Sequence, residues 1–170
     1  MAERDALKLL AAMIQHTDSK ADQQSLVCTD EHPAGRCRRP WMLISDLGKT
    51  FGHASAFNRD APSSVNLDAW AEAPVWVAAT GCRAYLVRSV TGTLDNPVVT
   101  EEGRRFLASL LRRLTDRQLH DLFAVARFPM RAQARSGDAD GRDLEAWVAA
   151  FKGKVAQIAD RSCTGTGAAP

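Results

Sequence analysis

The sequence predicts a mainly helical α+β fold: a short β-hairpin near the N-terminus packed on a helical body. Three observations lead there. Apolar residues recur at helical spacing in the first fifteen residues and throughout the last third of the chain. Two apolar runs of strand length, joined by a turn-rich polar stretch, lie between residues 25 and 44. The 170 residues are 45% hydrophobic and 25% charged, the ordinary composition of one globular domain with a real core.

Taken in order, residues 4–15 carry Leu7, Leu10, Ala11 and Ile14, the stripe of a helix that buries one face. Residues 25–29 (Ser-Leu-Val-Cys-Thr) read as a strand. Residues 30–39, with Pro33 and Gly35, read as a turn, and Trp41-Met42-Leu43-Ile44 as the returning strand. Residues 53–64 are small and polar and read as loop. Asn66 is placed to cap a brief helix over 67–73, stopped by Pro74. Residues 75–90 fit either a buried helix or irregular structure, and 92–97 a turn.

Thr100 can cap a helix that opens with Glu101 and Glu102, both favourable at the positive end of the dipole. Its apolar face is Phe106, Leu107, Leu110, Leu111 and Leu114. Thr115 and Gln118 have capping-box spacing for a helix that buries Leu119, Leu122, Phe123 and Ala126 and ends before Pro129. Residues 131–142 read as a linker. A final helix carries Leu144, Trp147, Val148, Phe151, Val155 and Ile158. One domain over 1–160 and a disordered tail over 161–170 are expected, with no internal repeat.

A net charge of +2 is too small to imply a nucleic-acid or membrane partner. No apolar run approaches the roughly 18 residues of a membrane span. No secretory leader is visible either, so a cytoplasmic chain is expected. Cys28, Cys37, Cys82 and Cys163 contain no C-x-x-C pair, and reduced structural thiols are expected of them.

Two motifs carry chemistry: His16-Thr17-Asp18-Ser19-Lys20-Ala21-Asp22-Gln23 and Asp46-Leu47-Gly48-Lys49-Thr50-Phe51-Gly52. Phosphoryl transfer needs one carboxylate to accept the proton of the attacking hydroxyl. It also needs a second carboxylate and an amide oxygen to hold Mg²⁺ against the phosphates. The pattern H-x-D-x-x-x-x-N followed by D-F-G supplies these groups in protein kinases. Here a helix leads into His16, a strand, turn and strand follow, and the second strand delivers Asp46.

In these residues and this order the chain resembles the C-terminal lobe of the protein-kinase-like superfamily. The second motif also looks like the D-F-G-x-x-x-G stretch of phosphoinositide-kinase-like enzymes. A wider likeness to uncharacterised bacterial proteins takes in Ser64-Val65-Asn66, Trp70, Pro74-Val75-Trp76, Thr91-Gly92-Thr93-Leu94 and Asp121-Leu122-Phe123.

The resemblance implies ATP and Mg²⁺ as cofactors of an active form. It implies Asp18 as the base, Lys20 to offset charge on the transferred phosphoryl group and His16 to brace the loop. Gln23 and Asp46 would bind the metal. Gln23 departs from the usual Asn by one methylene, and Gln24 could replace it by a register shift. Only 15 residues precede His16, with no G-x-G-x-x-G and no V-A-I-K, so the nucleotide-gripping lobe is missing from the sequence. Three explanations fit: a piece of a longer protein, a degenerate relative, or another fold with chance motifs.

The first functional expectation is therefore a kinase-like phosphotransferase domain or remnant, inactive alone. It would need a missing N-terminal lobe, or a protein partner, on an exposed apolar edge along the hairpin. The alternative is a non-catalytic helical interaction module. A third reading, an arginine-rich nucleic-acid binder, rests on Arg104, Arg105, Arg112, Arg113, Arg117, Arg127, Arg131 and Arg135. Glu101, Glu102, Asp116 and Asp121 interrupt that set, which favours a solvated helix face. Structural zinc on His16, Cys28, His32 and Cys37 is a further alternative, with a spacing that matches no standard finger. The tryptophans at 41, 70, 76 and 147 read as core or helix anchors.

Overall fold

The computed structural model describes residues 2–28, 37, 40–52, 65–88, 91–132 and 142–163. The loop expected over 53–64, His32, and most of the linker and tail lie outside these residues. Helix α1 (Ala2–Met13) opens the chain and packs along α3 (Glu101–Leu111). Asp5, buried on α1, accepts the Thr100 amide at 3.1 Å and so ties α1 to the start of α3.

The face of α1 differs from the expected stripe. Ala6, Leu9 and Met13 enter the core, together with the expected Ala11 and Ile14, while Leu7 and Leu10 are half-buried. The cause is that α1 has partners on two sides. Leu7 and Ala11 line a cavity of about 200 Å³ with Met42, Ile44 and Leu94.

Strands β1 (Gln24–Cys28) and β2 (Pro40–Ile44) form the expected hairpin, antiparallel, with Gln24 opposite Ile44, Leu26 opposite Met42 and Cys28 opposite Pro40. Alternation along the strands puts Met42 and Ile44 toward α1, and Val27, Trp41 and Leu43 on the other face. Trp41 is 62% exposed there, so it is not the core anchor expected from its neighbours. The other three tryptophans are buried.

Helix α2 (Leu67–Glu72) is capped by Asn66, whose Oδ1 accepts the Ala69 amide at 3.0 Å. The segment from Val75 to Arg88 takes the irregular alternative, held by isolated bridges from Trp76 to Ala84 and from Arg83 to Val98. On α3, Leu107 and Leu111 are buried as expected, but Phe106, Leu110 and Leu114 are exposed. The inward face is completed by Arg104, 6% exposed, which donates to the Ile158 and Ala159 carbonyls near the C-terminal end of the chain's last helix and pairs with Glu101.

Helix α4 (Asp116–Val125) has the full capping box, and it buries Leu119 and Phe123 while leaving Leu122 exposed. Pro129 sits in the first turn of the short α5 (Phe128–Arg131), where its missing amide costs nothing. The long α6 (Leu144–Ala159) receives α2, α3 and α4. Its Trp147 and Phe151 join Phe51, Trp70, Phe123 and Phe128 in one aromatic core, with Trp70 stacked on Trp147 at 5.5 Å.

The four cysteines are not reduced thiols. Cys28 bonds to Cys37 and Cys82 to Cys163, with Cα–Cα distances of 5.6 and 5.3 Å. Chain spacing alone cannot disclose the second pair, whose members are 81 residues apart and meet only once α6 has packed. Cys163, inside the expected tail, is 8% exposed and belongs to the fold. No helix among the described residues is long and apolar enough to cross a membrane.

Candidate functional site

The first motif begins where α1 ends. Gln15 takes a left-handed φ of 54°, and the amides of Gln15 and His16 reach back to the Ala12 and Ala11 carbonyls at 3.0 and 2.8 Å. That is a Schellman stop, a place usually given to glycine. Gln15 holds it with its side chain. Its Nε2 donates to the Ala12 and Tyr85 carbonyls, and its Oε1 accepts the Val87 amide, each at 2.9 Å. The helix end is thereby tied to the 85–87 segment, and the chain turns into the loop that carries Asp18.

The second motif folds back on this loop. The Asp46 carboxylate accepts the Gly48 amide at 2.7 Å, and the Thr50 hydroxyl donates to the Leu47 carbonyl at 2.9 Å, so the turn is closed by its own side chains. The Thr17 amide donates to the Lys49 carbonyl at 3.1 Å, and the Phe51 amide to the Ile14 carbonyl at 2.8 Å. Phe51 then drives its ring between Trp70 and Phe128, with centroids at 5.0 and 5.1 Å. Gly52 follows with φ +85°, and a Cβ there would run into the Asn66 carbonyl. Phe51 and Gly52 are thus anchors that dock the motif on the core.

Asp18 is the centre of the constellation and is 9% exposed. One carboxylate oxygen accepts the Thr91 hydroxyl. The other faces Gln23 Nε2 at 3.4 Å, Lys20 Nζ at 3.7 Å and Lys49 Nζ at 3.9 Å. The Thr91 hydroxyl, with Lys49, Lys20 and Gln23, holds the Asp18 carboxyl below the usual aspartate range against the opposing effect of burial. Lys49 also donates to the Thr91 hydroxyl at 3.2 Å. The Thr93 and Leu94 amides both donate to the Ser19 carbonyl, and Gly92 crosses so close to Thr17 that a Cβ would strike its carbonyl. Residues 91–94 therefore strap the loop from outside.

Of the residues expected from sequence, Asp18, Lys20 and Gln23 come together. His16 lies beneath them, 1% exposed, with both ring nitrogens buried and the Asp46 backbone the polar group beside it, too poorly aligned for a full hydrogen bond. Burial holds its imidazole below the ordinary histidine value, although Asp46 and Asp18 both favour the protonated form. Asp46 is exposed and engaged in its own turn. Sequence reasoning missed Gln15, Lys49 and Thr91 as site residues. Lys49 and Thr91 sit inside quoted motifs, yet nothing in their spacing shows that both reach Asp18. For Gln15 the sequence carries no signal.

The donors available to a metal are oxygens, which suits Mg²⁺. Gln23 Oε1 is buried and unpartnered among the described residues, and Asp46 is accessible. No group of three or more His, Cys, Asp or Glu side chains among the described residues is placed to hold a metal. The zinc alternative loses two ligands, because Cys28 and Cys37 are bonded to each other. Of the eight arginines, Arg104 and Arg105 pair with Glu101, Arg117 lies near Asp121 at the surface and Arg131 lies over Phe128; Arg112, Arg113 and Arg127 are exposed, and Arg135 lies outside the described residues. No protein family, curated protein or solved structure matches this chain.

Proposed function

We propose that the chain is a kinase-like phosphotransferase domain, or its remnant, centred on Asp18. The observation that supports this most is the stitching of the two motif loops around a charged, half-enclosed carboxylate. An aspartate kept ionised can orient an acceptor hydroxyl, and because its carboxyl is held below the usual range, orientation rather than strong basicity is what it offers. Lys20 and Lys49 supply two positive charges beside it, the right sign for a transferring phosphoryl group. Gln23 and Asp46 would hold Mg²⁺, which when bound offsets the charge of the ATP phosphates. A partner lobe is the natural cover for the exposed Val27, Trp41 and Leu43 face of the hairpin. A cytoplasmic location is part of the same proposal.

A second reading, a non-catalytic interaction module, is favoured by one observation. Both Asp18 oxygens and one Asp46 oxygen are already satisfied within the chain. A carboxylate so engaged can be a loop staple with no substrate.

Thermal unfolding with millimolar ATP and Mg²⁺ tests the first reading. The expected result is a rise in Tm that Asp46→Ala abolishes while leaving the ligand-free Tm within about 2 °C. No rise at millimolar nucleotide counts against the enzyme and leaves the interaction module.

A further inference from the structure

The two disulfides differ in one respect that chemistry can read. Cys82 is 0% exposed and Cys163 is 8% exposed. Around them the Cys163 amide donates to Glu101 at 3.0 Å, the Val99 amide to the Cys82 carbonyl at 3.0 Å, and Arg161 reaches the carbonyls of Ala78 and Ala79. That bridge is enclosed on both sides by α3, the end of α6 and the irregular segment. Cys28 and Cys37 are both exposed. Cys28 ends β1 at the end of the hairpin away from the Asp18 loop, opposite Pro40 and beside the Val27–Trp41 pair.

Thiol–disulfide exchange requires a thiolate to approach one sulfur in line with the S–S bond, so access decides which bridge reacts. We propose that Cys28–Cys37 is a thiol-exchange site for small monothiols such as glutathione, and that Cys82–Cys163 is a closed structural bridge. The attacking thiolate forms a mixed disulfide with one of the two cysteines and expels the other as a thiolate, which takes up a proton. A second thiol then attacks the mixed disulfide, and the products are two protein thiols and one oxidised glutathione. Nothing beyond two thiols per bridge is required.

The hairpin makes the event readable. A two-stranded hairpin is marginal by itself. This one is held at its inner end by Ser45, whose amide and hydroxyl both donate to the Gln23 carbonyl. At its outer end the covalent tie is Cys28–Cys37. Trp41 is opposite Val27, one step from Cys28, and the other tryptophans are buried, so exposed-tryptophan emission reports this end alone.

The test is a titration of the full oxidised chain with glutathione, quenched by alkylation and mapped by peptide mass. The expected order is a glutathione adduct and then free thiols at Cys28 and Cys37, at concentrations at least about tenfold below those that open Cys82–Cys163. Trp41 emission should change with the first event and not the second, and W41F should remove that change. Simultaneous opening, the reverse order, or Cys28 and Cys37 found as thiols in untreated protein would each overturn the proposal. If the double variant C28S/C37S fails to fold, the wild-type mapping still decides, because it needs no substitution.

Discussion

Gln15 and Gly52 adopt related left-handed backbone conformations for opposite reasons, and the difference can be measured. At Gly52 the Asn66 carbonyl occupies the space of a Cβ, and φ is +85°. Gly52→Ala should therefore lower stability by roughly 2 kcal/mol or more, read as a fall in the urea midpoint at unchanged slope. Gly153, on the exposed side of α6, meets nothing within 4 Å at the same virtual atom. It is the internal control, since alanine there should gain up to about 1 kcal/mol. At Gln15 glycine would relieve the backbone, but three side-chain hydrogen bonds would go, two to the 85–87 segment and one to the Ala12 carbonyl. Gln15→Gly should be a net loss of roughly 1–2 kcal/mol in the same measurement. A gain would mean that the amide contacts add nothing.

At the scale of elements, the start of α3 is the junction that binds three parts of the chain. Glu101 receives Arg104 and Arg105, each at 2.7 Å, and the Cys163 amide at 3.0 Å. Arg104 also closes the carbonyl end of α6. The Arg104 guanidinium, helped by the Cys163 amide and Arg105, pulls the Glu101 carboxyl down to about 2. A depressed carboxyl contributes stability that is complete above its unfolded value, near 4.5, and is lost as pH falls toward 2. Glu101→Gln should flatten the acid limb of the stability curve between those limits and lower Tm at pH 7. An acid limb unchanged by the substitution would show that other carboxylates carry it.

The faces of the elements were harder to read than the elements themselves. The apolar spacing of α1, the hairpin strands and α6, and the caps Asn66, Thr100 and Thr115 with Gln118, all match the folded chain. Which row of a helix turns inward did not. On α3 the inward row is Gly103, Leu107, Ala108 and Leu111, where the backbone of Gly103 runs close against Ala2, Asp5 and Ala6 of α1, while Phe106 and Leu110, and Leu114 just beyond the helix, stay exposed. On α1 both rows are apolar because α3 packs against one and Leu7 with Ala11 faces Met42 and Ile44 of the hairpin.

For the molecule as a whole, Lys154 records how tightly α6 is packed. It is 2% exposed, lies over the Trp70 ring at 5.2 Å and donates to the Ala73 carbonyl at 2.6 Å, closing the end of α2. Burial lowers its pKa from 10.5 to about 8. The unfolded chain therefore binds the extra proton between those values, and stability rises with pH across that window by at most about 3 kcal/mol. Below about pH 8 the penalty is fully present. Urea unfolding of the oxidised protein at pH 7.5 and pH 10 should show the rise, and Lys154→Met should remove most of it.

The sequence by itself determined the local structure: apolar period, caps and turn residues act over a few positions, and the hairpin needs only two short strands and a turn. It also placed Asp18, Lys20 and Gln23 within one loop, because the residues are neighbours along the chain. Only the tertiary structure decided what surrounds Asp18, since Thr91 and Lys49 reach it from 73 and 31 residues away through packing that no spacing rule encodes. The same holds for Cys82–Cys163 and for the buried charges Arg104 and Lys154. A charged or thiol side chain is interpretable in sequence only when its partner is local, and here the partners are carbonyls, rings and cysteines delivered by other elements.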